Sequence, residues 1–203
     1  MAKKPRGKIV RRLGINIYGN PKYDRLLDRK PNTPGKERGG RFRAKVSVYG
    51  EQLKEKQKFR FAYGMSERQF RNLYKNANRM PGATGDNMIS LMERRFDNTI
   101  YRMGFAVSRA QARQMVSHGY FFINGKPANI PSMYLKAGDL ITTRDKKGIE
   151  ALVRKNLSAS TQKKGNWIEL DDQKLSAKMV VLPSAEDVQP VGKIQSVVEF
   201  YSR

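Results

Sequence analysis

The chain has 203 residues, enough to bury a core without staples, and sets 41 Lys and Arg against 18 Asp and Glu for a net charge of +23. Such an excess suits a polyanionic partner, while the absence of cysteine excludes a disulfide framework, a thiolate metal site and a cysteine nucleophile. No apolar run approaches the roughly 18 residues of a membrane span, and the opening MAKKPRGKIVRRLG lacks the apolar centre of a secretion signal.

The charge is uneven. Residues 1–80 hold 23 basic and 6 acidic side chains, net +17, leaving net +6 for the rest. Residues 1–45 are rich in Lys, Arg, Gly and Pro and offer little to bury, which predicts a basic arm that is extended and disordered until it meets RNA. An Arg-rich transit peptide is the competing view of this terminus, opposed by the early Pro5 and Gly7. Tyr18, Tyr23, Leu26 and Leu27 are the exceptions in the arm, and aromatic planes among cations suit unpaired bases and phosphates.

A polar helix is predicted from about Val46, with Lys54, Lys56 and Lys58 alternating with Glu55 and Gln57 and Arg60 just beyond. A clearer one opens at Ser66, where Gln69 completes a capping-box spacing before the apolar stripe Phe70, Leu73, Tyr74, Ala77 and Met80. Arg68, Arg71, Lys75 and Arg79 form a second stripe, and the aromatics read as core rather than as base-stacking groups. Pro81 and Gly82 end that helix.

One continuous helix is then expected through Met88, Met92, Phe96, Ile100 and Met103, stopping at Gly104. At 100° per residue, Arg95, Asn98 and Arg102 fall within about 60° of one another, on a face free to meet phosphate. Ser108 opens the next helix with Gln111 three residues on, Arg109 and Arg113 are i,i+4 neighbours, and His118 and Gly119 close it. The period then changes: Tyr120 to Ile123, the turn pair Asn124 and Gly125, and Lys126 predict a tight hairpin, with a strand at 140–143. Beyond it come a short helix over about 146–157, strands near 167–170 and 178–182, and a final helix marked by Ile194, Val197, Val198 and Tyr201.

The run FDNTIYRMGFAVSRAQARQMVSHG, with INGK, NIPS and KAGD after it, resembles the RNA-binding motif of bacterial-type ribosomal protein S-four. That motif also occurs in pseudouridine synthases, some aminoacyl-tRNA synthetases and RNA-binding heat-shock proteins. YGEQLKEKQKFRFAYGMSERQFRNLYKNA, GATGDNMISLMERRFDN and the terminal IQSVVEFYSR extend the resemblance to nearly the whole chain after about Tyr23, leaving no room for a catalytic domain. It implies a structural protein of the small subunit that binds ribosomal RNA early in assembly and contributes to decoding accuracy. It also implies contact with ribosomal protein S-five and, in some members, repression of the protein's own operon. Cysteines that hold zinc in some relatives are missing, so no metal or other cofactor is carried over.

The expected fold is α+β: an arm over 1–45, a helical domain over 46–93 completed by 190–203, and an inserted RNA-binding domain of short helices on a small antiparallel sheet over 94–189, with its motif at 94–143. The expected RNA contacts are Arg38, Arg41, Arg43, Lys54, Lys56, Lys58, Arg60, Arg68, Arg71, Arg95, Asn98, Arg102, Ser108, Arg109, Arg113, His118 and Lys126. No enzyme chemistry is expected. His118 is the only histidine and lacks a plausible nucleophile or metal partner, Asp171 and Asp172 read as turn residues, and no Walker loop or dinucleotide fingerprint is present.

Overall fold

A computed structural model describes residues 5–35, 47–159 and 165–202. The fold is α+β, and packing divides it into two units, Met1–Met65 with Val191–Arg203, and Ser66–Pro190.

The expected arm is helical in its described part. Helix α1, Arg6–Leu13, buries Val10 and Leu13 and stops at Gly14, whose positive φ of 73° lets its N–H reach the Val10 carbonyl. Helix α2, Pro21–Arg29, starts with Asn20 accepting from the Lys22 N–H and with proline in the first turn. The two lie close enough that a Cβ on Gly7 would stand 3.0 Å from Leu26 Cδ2. Polar composition hid these helices; of the apolar residues it left, Val10, Leu13 and Ile17 are buried, while Ile9, Ile15, Leu26 and Leu27 are partly exposed.

Helix α3, Val48–Ala62, is capped by Ser47 and packs on the terminal helix α9, Ile194–Tyr201. Its buried stripe is Gln52, Lys56, Phe59 and Ala62, two polar residues among four, which explains why hydrophobic periodicity marks it poorly. Gln52 donates to Glu199 Oε2 at 2.9 Å, and the Lys193 backbone N–H to Glu55 Oε2 at 2.8 Å.

In the second unit, α4, Glu67–Arg79, carries the complete capping box of Ser66 and Gln69 and buries Phe70, Leu73 and Ala77. It packs on α5, Thr84–Glu93, with Asn87 Nδ2 donating to the carbonyls of Ala77 and Pro81. Packing groups α4 and α5 with the sheet-bearing elements, the division falling after residue 65, where the helical domain was expected to run on to residue 93.

The single helix expected over 88–103 is two. α5 ends at Glu93, Arg95 is extended at φ −62° and ψ 134°, and α6 runs Phe96–Arg102. The break is made by a distant segment: the N–H groups of Phe96 and Asp97 donate to the carbonyls of Met133 and Pro131, at 2.8 and 3.1 Å, and Leu135 donates back to Arg94. Backbone groups at the helix start are thereby satisfied without a side-chain cap. Helix α7 is Arg109–Ser117 and helix α8 is Lys147–Ala159.

The strands β1, Phe121–Ile123, β2, Lys126–Ala128, β3, Leu140–Thr143, β4, Ile168–Asp171, and β5, Ser176–Met179, form one antiparallel sheet in the order β2-β1-β3-β5-β4. Asn124 and Gly125, at φ 50° and 76°, make the expected hairpin turn. Phe121, Ile141, Ala177 and Met179 are buried, and Phe121 meets Phe96 edge-on at 6.2 Å and stacks on Phe105 at 6.1 Å. This aromatic cluster ties α6 and the turn after it to the sheet. Asn156 of α8 donates to the Phe105 carbonyl at 2.8 Å.

Candidate nucleic-acid interface

Two buried carboxylates organise the basic residues of α6 and α7. Glu93, with no exposed surface, accepts from Arg102 at both oxygens, 2.8 Å from Nε and 2.7 Å from Nη2. Its Oε2 also accepts from Asn98 Nδ2 at 2.7 Å. Asp97 takes a two-point contact from Arg95, 3.1 and 2.8 Å, with Arg113 Nη1 3.7 Å from Asp97 Oδ2. The Asn98 oxygen accepts from Arg109 Nε at 2.7 Å, and the Arg109 guanidinium lies 4.5 Å from the Tyr101 ring centre. Three guanidiniums thus approach two carboxylates, with the fourth, Arg109, held through Asn98, which leaves a positive surplus and fixes Arg95, Arg102 and Arg109 by hydrogen bonds.

This arrangement corrects the placement expected for α6. Arg95 is 2% exposed and Asn98 1%, so neither lies on a phosphate-facing surface. The helical projection was sound within α6, but the broken helix turns that face onto α7 and the 131–135 segment. Arg102 is partly buried against Glu93. Arg109 is half-buried, and the Arg113 side chain is 42% exposed.

Ser108 caps α7 by accepting from the Gln111 N–H at 3.3 Å, but Gln111 answers to the Val107 N–H at 2.8 Å rather than to Ser108, a capping box shifted by one residue. Ser108 therefore sets where the α7 arginines begin. His118 is exposed at the C-cap, its ring 5.9 Å from that of Tyr120. Lys126 is exposed on β2, and the structure does not join it to the α6 and α7 cluster.

Arg68 and Arg71 are exposed on α4 in line with Lys75 and Arg79, opposite the buried stripe. Lys75 and Arg79 were legible as a stripe and belong to this surface. Arg144, which the sequence reading did not single out, is exposed beyond β3, and its backbone N–H donates to the Tyr120 carbonyl at 2.8 Å, so it lies beside the segment that follows α7. Strand pairing, not local sequence, brings it there.

In the first unit the α3 cations part company. Lys54 is exposed, but Lys56 is 5% exposed, with its ammonium 4.4 Å from the Phe200 ring centre and 5.6 Å from that of Tyr201. Alternate residues of a helix lie about 200° apart, so the run that looks uniform in sequence points Lys56 at α9. Lys58 pairs with Glu55, and Arg60 lies over Phe61 at 4.6 Å. Arg38, Arg41 and Arg43 fall outside the described residues. Among the described residues there is no cluster of His, Asp and Glu able to hold a metal, and no helix long and apolar enough to cross a membrane.

The chain matches two family models, which define its class: the ribosomal protein S4/S9 N-terminal domain over residues 1–93, and the S4 domain over residues 94–141. The chain is 73% identical to the small ribosomal subunit protein uS4 of Treponema denticola, over 99% of this chain and 98% of that one. Identity is 67% to the protein of the same name from Treponema pallidum, with the same coverage, and 48% to that of Borrelia hermsii, over 98% and 96%. The chain belongs to the uS4 family, whose members are structural ribosomal proteins and not enzymes.

Proposed function

We propose that this chain is a structural component of the small ribosomal subunit that binds ribosomal RNA early in assembly, helps set decoding accuracy, and works in the cytoplasm within that subunit. The observation that carries the reading is the array on α7, where Arg109 is oriented by Asn98, Arg113 lies 3.7 Å from Asp97, and both keep part of their surface for a partner. Preorganised guanidiniums suit phosphate oxygens, and such contacts fix register on a folded RNA. The exposed line Arg68, Arg71, Lys75 and Arg79 on α4 gives the same unit a second row of phosphate contacts. Lys54, Lys58 and Arg60, with the arm carrying Arg38, Arg41 and Arg43, add contacts from the other unit. His118, Lys126 and Arg144 extend the surface around the sheet. Arg95, Arg102 and Lys56 support the fold beneath these contacts. Contact with ribosomal protein S-five, and repression of the protein's own operon, are further expectations of the family reading.

Footprinting the purified protein on naked small-subunit ribosomal RNA tests this. A compact set of protected nucleotides around one helical junction is the expected result, together with stoichiometric co-sedimentation with mature small subunits. Protection scattered along the RNA, with equal affinity for an unrelated duplex at moderate salt, would reduce the protein to a general polycation.

A further inference from the structure

We infer that Asn98 is a positioning residue for Arg109, carrying the influence of the buried Glu93 carboxylate to an RNA-facing guanidinium without touching RNA itself. The inference rests on the RNA-binding reading above. A buried asparagine must satisfy both ends of its amide. At one end, Nδ2 donates to Glu93 Oε2 at 2.7 Å and to the Glu93 carbonyl at 3.3 Å. Both acceptors can only accept, so the amide is fixed with its oxygen pointing away from Glu93. That oxygen accepts from Arg109 Nε at 2.7 Å. The ring of Tyr101, 4.5 Å from the guanidinium carbon, supplies a floor beneath the cation.

Taken together, Nε is held by the amide and one guanidinium face by the ring, so the orientation of Arg109 is set before a phosphate arrives. A preorganised side chain loses less rotamer freedom on binding than one that is loose in solvent. Glu93 is itself held by the two-point contact from Arg102, so the chain of control runs Arg102, Glu93, Asn98, Arg109, entirely within α5, α6 and α7. Asn98 is 1% exposed, which keeps it from serving as a contact residue.

The test is a double-mutant cycle on the full chain, with small-subunit ribosomal RNA as the probe and an unrelated duplex as control. Asn98→Ala should weaken specific binding on the order of tenfold when Arg109 is present and have no further effect in Arg109→Ala, as expected for directly coupled residues. The salt dependence of the logarithm of affinity should shallow by roughly 0.7 to 0.9 in Asn98→Ala, one phosphate contact, a change that mere loosening of the core would not produce. An equal loss in both backgrounds would overturn the inference. Should Asn98→Ala not fold, Asn98→Ser decides: its short hydroxyl keeps a polar group beside Glu93 but cannot span from Glu93 to Arg109 as the amide does, and it should bind as weakly as Arg109→Ala. Wild-type binding by Asn98→Ser overturns the inference, and so does wild-type binding by Arg109→Ala, while RNA recognition by the protein stands in either case. Failure of the unmodified protein to prefer ribosomal RNA over the control duplex would instead overturn the RNA-binding reading, and the inference with it.

Discussion

Removing the Asp97 carboxylate strands the Arg95 guanidinium, which is 2% exposed and has Asp97 at both ends of a two-point contact. Breaking a buried pair in this way costs about 3–5 kcal/mol, so Asp97→Ala should lower the denaturant midpoint sharply. A change below about 1 kcal/mol would mean that the pair behaves as an exposed one. The double variant Arg109→Ala with Arg113→Ala has a milder stability profile, because both side chains keep accessible surface: losing the donor to the buried Asn98 oxygen should cost about 1–3 kcal/mol, and RNA affinity should fall as well. Unchanged affinity in the folded variant would take α7 out of the interface. Tyr18 offers a third residue-scale test. Burial raises its phenol above the ordinary value, Arg6 opposes the rise and Tyr23 adds to it. Because the folded state favours the neutral phenol, that stabilisation is complete below the unfolded value near about 10 and is lost as pH climbs through the folded one. In an ultraviolet titration Tyr18→Phe should remove a step that lies above the ordinary phenol range.

At the scale of elements, the helix starts were written locally and the helix break was not. Ser66 and Gln69 satisfy each other's backbone N–H groups, so Ser66→Ala should cost about 1 kcal/mol in thermal unfolding, with RNA affinity almost unaffected. The division between α5 and α6 has another origin. Its cause is the segment from Pro131 to Leu135, which supplies carbonyls to the first turn of α6 and pairs with the backbone of Arg94 and the extended Arg95. An apolar stripe continuous through Met88, Met92, Phe96 and Ile100 fits an unbroken helix as well as a broken one, since all four are buried either way.

At the scale of the whole molecule, a net charge of +23 makes salt the decisive variable. If about six to ten phosphates are neutralised, affinity should drop on the order of a thousandfold between about 50 and 200 mM salt, with the logarithms linearly related. Preference for ribosomal RNA over an unrelated duplex should persist across that range, because groove geometry and 2′-hydroxyls are not screened as charge is. Deleting residues 1–43 should reduce RNA affinity, most visibly at low salt, and leave a cooperatively melting protein. The second unit holds its own aromatic core, and α3 and α9 pack on each other without that segment. Loss of cooperative melting would show that α1 and α2 are part of the core rather than an appended arm.

The sequence by itself determined the α+β class, the caps at Ser66 and Ser108, the hairpin at Asn124 and Gly125, the docking of an apolar last helix, and the basic character of the partner-facing surface. Each depends on residues a few positions apart, where spacing alone decides the hydrogen bond or the buried face. Only the tertiary structure decided which cations are available. Arg95, Lys56 and Arg113 are alike in composition and local pattern, yet Asp97 and the 131–135 segment bury the first, the Phe200 and Tyr201 rings cover the second, and the third keeps 42% of its side chain exposed. A cation is buried or presented according to what the rest of the chain places against it. The carboxylate or aromatic ring that makes burial tolerable can be supplied by a neighbour two residues away or by a helix at the other end of the sequence.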